Sequence, residues 1–174
     1  MEITIEAVKA LREETGAGIM DCKRALTEAG GDLPRAKAIL RERGFEAAAK
    51  KAGRETSQGL VEAYIHGGGR VGALVELNCE TDFVARNEAF KELARNLAMQ
   101  VVATNPRFLA KDEVPGELIE REQLTPDEVA GMALLSQPYI RDESQTIEQL
   151  ITAVVQKTGE NIRVRRFVRF ELGK

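Results

Sequence analysis

The hydrophobic period of the chain changes once, and that change constrains the fold more than any other feature. Before residue 53 the apolar side chains recur at roughly the 3.6-residue spacing of a helix, and beyond Gly59 they alternate as in a strand. Helices and strands bury different patterns, so the two stretches belong to different layers. Between them Gly53-Arg54-Glu55-Thr56-Ser57-Gln58-Gly59 is polar and closed by glycine at both ends. The boundary is placed there, giving an N-terminal helical domain over 1–53 and an α+β domain over 54–174.

Three short helices are predicted in the first domain. Thr4 can cap the first, with Ile3 and Val8 placed as a hydrophobic staple and Ile5, Val8 and Leu11 at helical spacing, until Gly16 and Gly18 break it. Ile19, Cys22, Ala25, Leu26 and Ala29 form the stripe of the second, which Gly30-Gly31 stops. Asp32 caps the third, Pro34 is tolerated in its first turn, and Ala36, Ile39 and Leu40 face inward before Gly44. Phe45 to Lys51 is alanine-rich and can continue as helix.

In the second domain Val61, Ala63 and Ile65 share one strand face, and Val71, Ala73, Val75 and Leu77 share another beyond a Gly67-Gly68-Gly69 turn. Asn87 can cap a helix whose stripe is Phe90, Leu93, Ala94, Leu97 and Val101, ending before Asn105-Pro106. Residues 107–137 carry Pro115, Gly116, Pro126 and Gly131 and support only short helices. A last helix spans about Thr146 to Thr158. The closing strand alternates through Ile162, Val164, Val168, Phe170 and Leu172, with a bulge near Arg166-Phe167. The expected class is therefore α+β, a three-helix bundle followed by a small antiparallel sheet covered by helices.

Composition excludes several functions. The 25 Lys+Arg and 28 Asp+Glu among 174 residues leave a net charge of −3, which fits neither a polybasic nucleic-acid tail nor an acidic disordered segment. Apolar runs stay as short as Met132-Ala133-Leu134-Leu135, far from the ~20 residues of a membrane helix, so no membrane association is expected. Met1-Glu2-Ile3-Thr4-Ile5-Glu6 lacks the basic start and apolar core of a secretory signal, and a cytoplasmic location is expected. Cys22 and Cys79 sit inside apolar patterns as reduced core thiols.

Candidate chemistry is equally sparse. Gly67-Gly68-Gly69-Arg70-Val71-Gly72 matches G-x-G-x-x-G, but a dinucleotide site needs those glycines to open a helix, and here a strand follows. The chain has no G-x-x-x-x-G-K-[ST] loop for binding GTP or ATP. His66 is the one histidine and lies beside the hairpin turn without a serine–carboxylate arrangement. Asn78, Glu80 and Asp82 imitate the start of a calcium loop, but Phe83 and Ala89 stand where that loop needs Gly and Glu. No metal or cofactor is expected. Arg163, Arg165, Arg166 and Arg169 suggest RNA as an alternative partner, against which stand the missing exposed aromatics and the overall charge.

Two features point to a protein partner. Met20, Lys23, Arg24 and Thr27 recur on the polar side of the second helix, and a methionine among cations suits an adaptable contact. Phe83 belongs to neither apolar set and sits in a short connection beside Asp82. On residue patterns alone it either projects into a pocket elsewhere or tucks under its own helix.

Taken in order, Thr15-Gly16-Ala17-Gly18-Ile19-Met20-Asp21-Cys22-Lys23, Asn78-Cys79-Glu80-Thr81-Asp82-Phe83-Val84-Ala85-Arg86-Asn87 and Gln137-Pro138-Tyr139-Ile140 resemble the translation elongation factor Ts family. The hairpin glycines and Gly159-Glu160-Asn161-Ile162-Arg163-Val164 fit as well. The resemblance implies a ubiquitin-associated-like N-terminal bundle, an α+β core, and nucleotide exchange on elongation factor Tu, GDP-bound or nucleotide-free, without covalent chemistry. It implies that Thr81, Asp82, Phe83 and Val84 dislodge Mg²⁺ from the partner, the Phe83 ring entering between helices of its G domain. Arg12, Met20 and Lys23 follow as N-terminal contacts. Against longer members of the family, a second core module is missing and 106–135 is abbreviated, so a homodimer that restores the second core is a further expectation. The alternatives are an RNA-binding module, or a ubiquitin-associated-like adaptor built on the N-terminal bundle.

Overall fold

The structure is a computed structural model and describes residues 3–174; Met1 and Glu2 of the expected N-terminal domain lie outside the described residues. The chain forms two compact units, one of the described residues up to Arg54 with Thr152–Asn161, the other of Glu55–Ile151 with Ile162–Lys174.

The first unit contains α1 (Ile5–Thr15), α2 (Ile19–Glu28) and α3 (Leu33–Ala49). Thr4 Oγ1 accepts from Ala7 N at 3.2 Å and Asp32 Oδ1 from Arg35 N at 2.8 Å, so both predicted caps satisfy otherwise orphaned first-turn amides. Gly16 closes α1 in the left-handed conformation, φ 68°. Leu11, Cys22, Ala25, Leu26, Ala36 and Leu40 make the buried cluster, with Ile3 and Val8 packed at its edge as the staple pattern requires. Helix α3 continues straight through Gly44, which is buried because the Gln156 amide occupies the space a Cβ would need.

The second unit is built on a three-stranded antiparallel sheet in the order β1-β2-β5, from β1 (Gln58–His66), β2 (Val71–Cys79) and β5 (Arg163–Glu171). Helix α5 (Glu88–Thr104) packs across all three strands and buries Phe90, Leu93, Leu97 and Val101 against the face that carries Ala73, Val75 and Leu77. Asn87 caps it and Asn105, at φ 49°, ends it.

The register explains why apolar residues also line the other face. Leu74 pairs with Ala63 and Val168, and Gly72 with Ile65 and Phe170, so these side chains point away from α5. The pairing passes from Glu76–Arg166 to Leu77–Val164 and leaves Arg165 as the extra residue of a bulge. That extra residue reverses the phase of β5. Ile162 and Val164 are buried while Val168, Phe170 and Leu172 are exposed, so the single alternating face expected for this strand is two faces.

Residues 107–137 form short pieces: a 3₁₀ turn at Lys111–Glu113, α6 (Gly116–Glu122), α7 (Pro126–Met132) and a second 3₁₀ turn at Leu134–Ser136. Thr125 and Glu128 exchange hydrogen bonds as a capping box on α7. A small hairpin of β3 (Pro138–Tyr139) and β4 (Asp142–Thr146) follows, then α8 (Ile147–Thr158), closed by Gly159 at φ 76°. The buried Gln100 side chain of α5 holds that hairpin, donating from Nε2 to Gln137 Oε1 and Pro138 O, both at 3.1 Å, and accepting from Ile140 N at 3.0 Å.

Candidate partner-binding surface

The connection from β2 to α5 folds as one additional helical turn, α4 (Asp82–Ala85). Its sequence supplies both ends. Thr81 is extended, φ −125° and ψ 156°, and its Oγ1 accepts from Val84 N at 3.4 Å. Arg86 stays helical as the C-cap, and Asn87 N donates to Val84 O at 2.9 Å before Asn87 caps α5 in turn, accepting from Ala89 N at 2.8 Å. Cys79 Sγ, buried at the end of β2, donates to Thr81 O at 3.1 Å and ties the turn to the sheet. A four-residue helix is far too short to be stable alone, so it exists because these flanking caps and its packing on β1, β2 and α5 hold it.

Within that turn the side chains divide. Val84 and Ala85 are partly buried toward the core, whereas Phe83 is 80% exposed. Of the two options that the residue pattern left open for Phe83, the structure excludes a ring tucked under its own helix. Asp82 is half-buried, and its Oδ2 accepts from Arg86 Nη2 at 2.8 Å. Thr81, Asp82, Phe83 and Val84 therefore share one turn of the second unit.

Arg12, Met20 and Lys23 belong to the first unit and are all exposed, Met20 at 65%. Met20 and Lys23 stand three residues apart on α2, on the face opposite the buried Cys22, Ala25 and Leu26. Ile19, expected in the inward stripe, is exposed beside Met20 because it is the first residue of α2 and no earlier turn covers it.

The other motifs resolve into turns and pairs. Gly67, Gly68 and Gly69 form the β1–β2 turn with φ of 60°, 66° and 89°, left-handed values that favour glycine, so G-x-G-x-x-G here is a hairpin. His66 is exposed, with Nδ1 3.0 Å from Tyr64 Oη and its ring stacked on that tyrosine. Arg166 Nε donates to Glu76 Oε2 at 2.8 Å across the bulge and Arg169 Nη1 to Glu171 Oε2 at 2.7 Å, so two of the four β5 arginines are engaged within the sheet. Arg166 holds the Glu76 carboxyl below the usual carboxylate range. No group of three or more His, Cys, Asp or Glu among the described residues could hold a metal ion. No helix among them is long and apolar enough to cross a membrane.

Two surfaces were not picked out by residue patterns. One is the open face of the sheet, where Val61, Ile65, Leu74, Val168, Phe170 and Leu172 are all exposed, Phe170 at 69%. The apolar alternation on both sides of β1 and β2 contained that signal. The other is Arg86, whose spacing of four from Asp82 is the usual signature of a helical ion pair.

Residues 46–130 match the family described as Elongation factor TS. The protein named Elongation factor Ts from Carboxydothermus hydrogenoformans is 50% identical over 195 aligned positions, covering 99% of this chain and 90% of that protein. Its namesake in Caldanaerobacter subterraneus subsp. tengcongensis is 49% identical, with 99% of this chain and 98% of that protein covered. The chain belongs to the elongation factor Ts family.

A further Elongation factor Ts, from Moorella thermoacetica, is 50% identical over 96% of this chain and 94% of its own length. The 195 positions aligned with the first relative outnumber the 174 residues here, so that elongation factor Ts carries segments this one lacks. Membership places the chain among translation elongation factors.

Proposed function

We propose that this chain is the guanine-nucleotide exchange factor of elongation factor Tu, acting in the cytoplasm during translation elongation and making or breaking no covalent bond itself. One observation carries the reading. Phe83 projects from a turn that is capped at both ends and tied to the sheet, so an aromatic ring is presented to a partner on a stiff support. A ring of this kind buries about 150–250 Å² when it enters a pocket, roughly 2–3 kcal/mol of binding free energy. If that energy is realised only in the partner's open, metal-poor state, it accelerates GDP release by about 30- to 150-fold. Asp82, one residue away, brings a carboxylate to the same place, where it competes with the phosphates for Mg²⁺. Arg12, Met20 and Lys23 supply a second contact from the first unit.

Because coupling is reciprocal, GDP must weaken the factor by the same ratio that the factor weakens GDP. Gel filtration with elongation factor Tu should give a stable complex without nucleotide that dissociates when GDP is added. Comigration that is insensitive to GDP would contradict the exchange reading.

We propose further that two copies associate through the open sheet face. Six large apolar side chains stand exposed on one face, and antiparallel sheets with such faces pack on one another. The same face disfavours RNA, because it offers Phe170 as a lone exposed ring where stacking on bases needs several.

A further inference from the structure

Arg86 stands where α4 ends, in helical conformation at φ −89° and ψ −9°. It follows Phe83 by three residues and Asp82 by four, the two spacings that bring side chains together on one helical face. Its guanidinium donates to Asp82 Oδ2 at 2.8 Å while its side chain remains 77% exposed. Exposed pairs of this type add little to folding stability. The turn is in any case held by Thr81, Asn87 and Cys79. Stability therefore does not account for the pair, and a role during approach to a partner is open to it.

Electrostatics suggests one. A carboxylate approaching a divalent cation on a nucleoside diphosphate is drawn to the metal and repelled by the phosphate oxygens around it. At distances beyond the metal's immediate shell the repulsion dominates, because the charge of a nucleoside diphosphate, about −3, outweighs that of a divalent cation. A guanidinium held against the carboxylate cancels that charge during approach, and it also restrains the Asp82 carboxylate one residue from Phe83. The pair is exposed enough to part once a stronger cation is within reach, since Arg86 loses little by returning to water.

We propose that Arg86 is a positioning residue for exchange: it carries Asp82 to the partner's Mg²⁺–nucleoside diphosphate site as a neutral pair and yields the carboxylate only there. This rests on the exchange reading and deepens it. Arg86 acts through Asp82, so its effect disappears when Asp82 cannot be charged. Because the function is neutralisation at short range, dissolved salt substitutes for it in part, the screening length being ~10 Å at 0.1 M and shorter above.

The test is fluorescent-GDP release from elongation factor Tu, driven by the full chain at low and at high ionic strength. The variants are Arg86→Ala, Arg86→Lys, Asp82→Asn and the Asp82→Asn/Arg86→Ala double variant, each checked for an unchanged thermal midpoint. Arg86→Ala should raise the half-saturating factor concentration roughly 3- to 10-fold at low salt, with a smaller effect on the maximal rate. That deficit should shrink at high salt, Arg86→Lys should recover most of it, and in the Asp82→Asn background Arg86→Ala should change the value less than about 2-fold. An equal effect in both backgrounds, or no effect at low salt, overturns the inference. If Phe83→Ala abolishes exchange while Arg86→Ala is silent, Arg86 alone is misassigned. If the wild-type chain does not accelerate release, the exchange reading falls and takes this inference with it.

Discussion

Phe83 is exposed without being loose, because its neighbours do the holding. Thr81 caps the turn, Cys79 anchors Thr81 from the sheet, and Asn87 links the turn to α5. Thr81→Ala should therefore cost about 1 kcal/mol, the usual value of a lost threonine cap. In a chain of this size that lowers the melting temperature by roughly 2–4 °C. The same variant should raise amide hydrogen exchange locally at Val84, Ala85 and Arg86 while leaving the α5 amides unchanged. Unchanged exchange at those three amides would show that the cap does not hold the turn. At this scale the composition of the site was readable from the residues, but the direction of Phe83 was not. A single aromatic in a connection has no periodicity, and only the caps at Thr81 and Asn87 reveal that the connection is helical.

Helix α5 organises the second unit twice over, through its apolar stripe on the sheet and through Gln100 on its flank. Gln100 is fully buried, and its amide satisfies Gln137, Pro138 and the Ile140 backbone together. Gln100→Leu roughly keeps the volume but leaves Pro138 O and Ile140 N without this partner, at about 1–3 kcal/mol for each one left unpaired, whereas Gln137 Oε1 still accepts from Thr104 Oγ1 at 2.7 Å. The expected result is a melting temperature lower by roughly 4–24 °C and faster exchange at the Ile140 amide, with α1–α3 unaffected. A variant as stable as the parent would mean water replaces the amide without loss. Long periodic elements were legible: α1, α2, α3, α5 and α8 lie where apolar spacing and capping residues put them. Strand β5 was legible in part: the residues announced a bulge near Arg166-Phe167, the register places it at Arg165, and the exchange of inner and outer faces across it was not read from the alternation. The short helices of 107–137 are fixed by local contacts, such as Leu134 N to Phe108 O at 2.9 Å, that no period announces.

At the scale of the whole molecule each unit presents its own contact candidates, and the open sheet face adds a third surface, on which two copies are proposed to meet. Leu74 lies on the middle strand of that face, so Leu74→Glu should shift sedimentation from a dimer toward a monomer while the fold survives. A parent chain that sediments as a monomer at all concentrations would dismiss this interface. The central claim is that an exposed aromatic on a fixed turn drives nucleotide release in a partner, and one stopped-flow experiment addresses it most directly. Fluorescent GDP bound to elongation factor Tu is mixed with the wild-type chain or with Phe83→Ala, whose thermal midpoint should match the parent because the ring is outside the core. The account predicts strong acceleration by the wild type and loss of most of it, about 30-fold or more, in the variant. Full acceleration by a folded Phe83→Ala would contradict it.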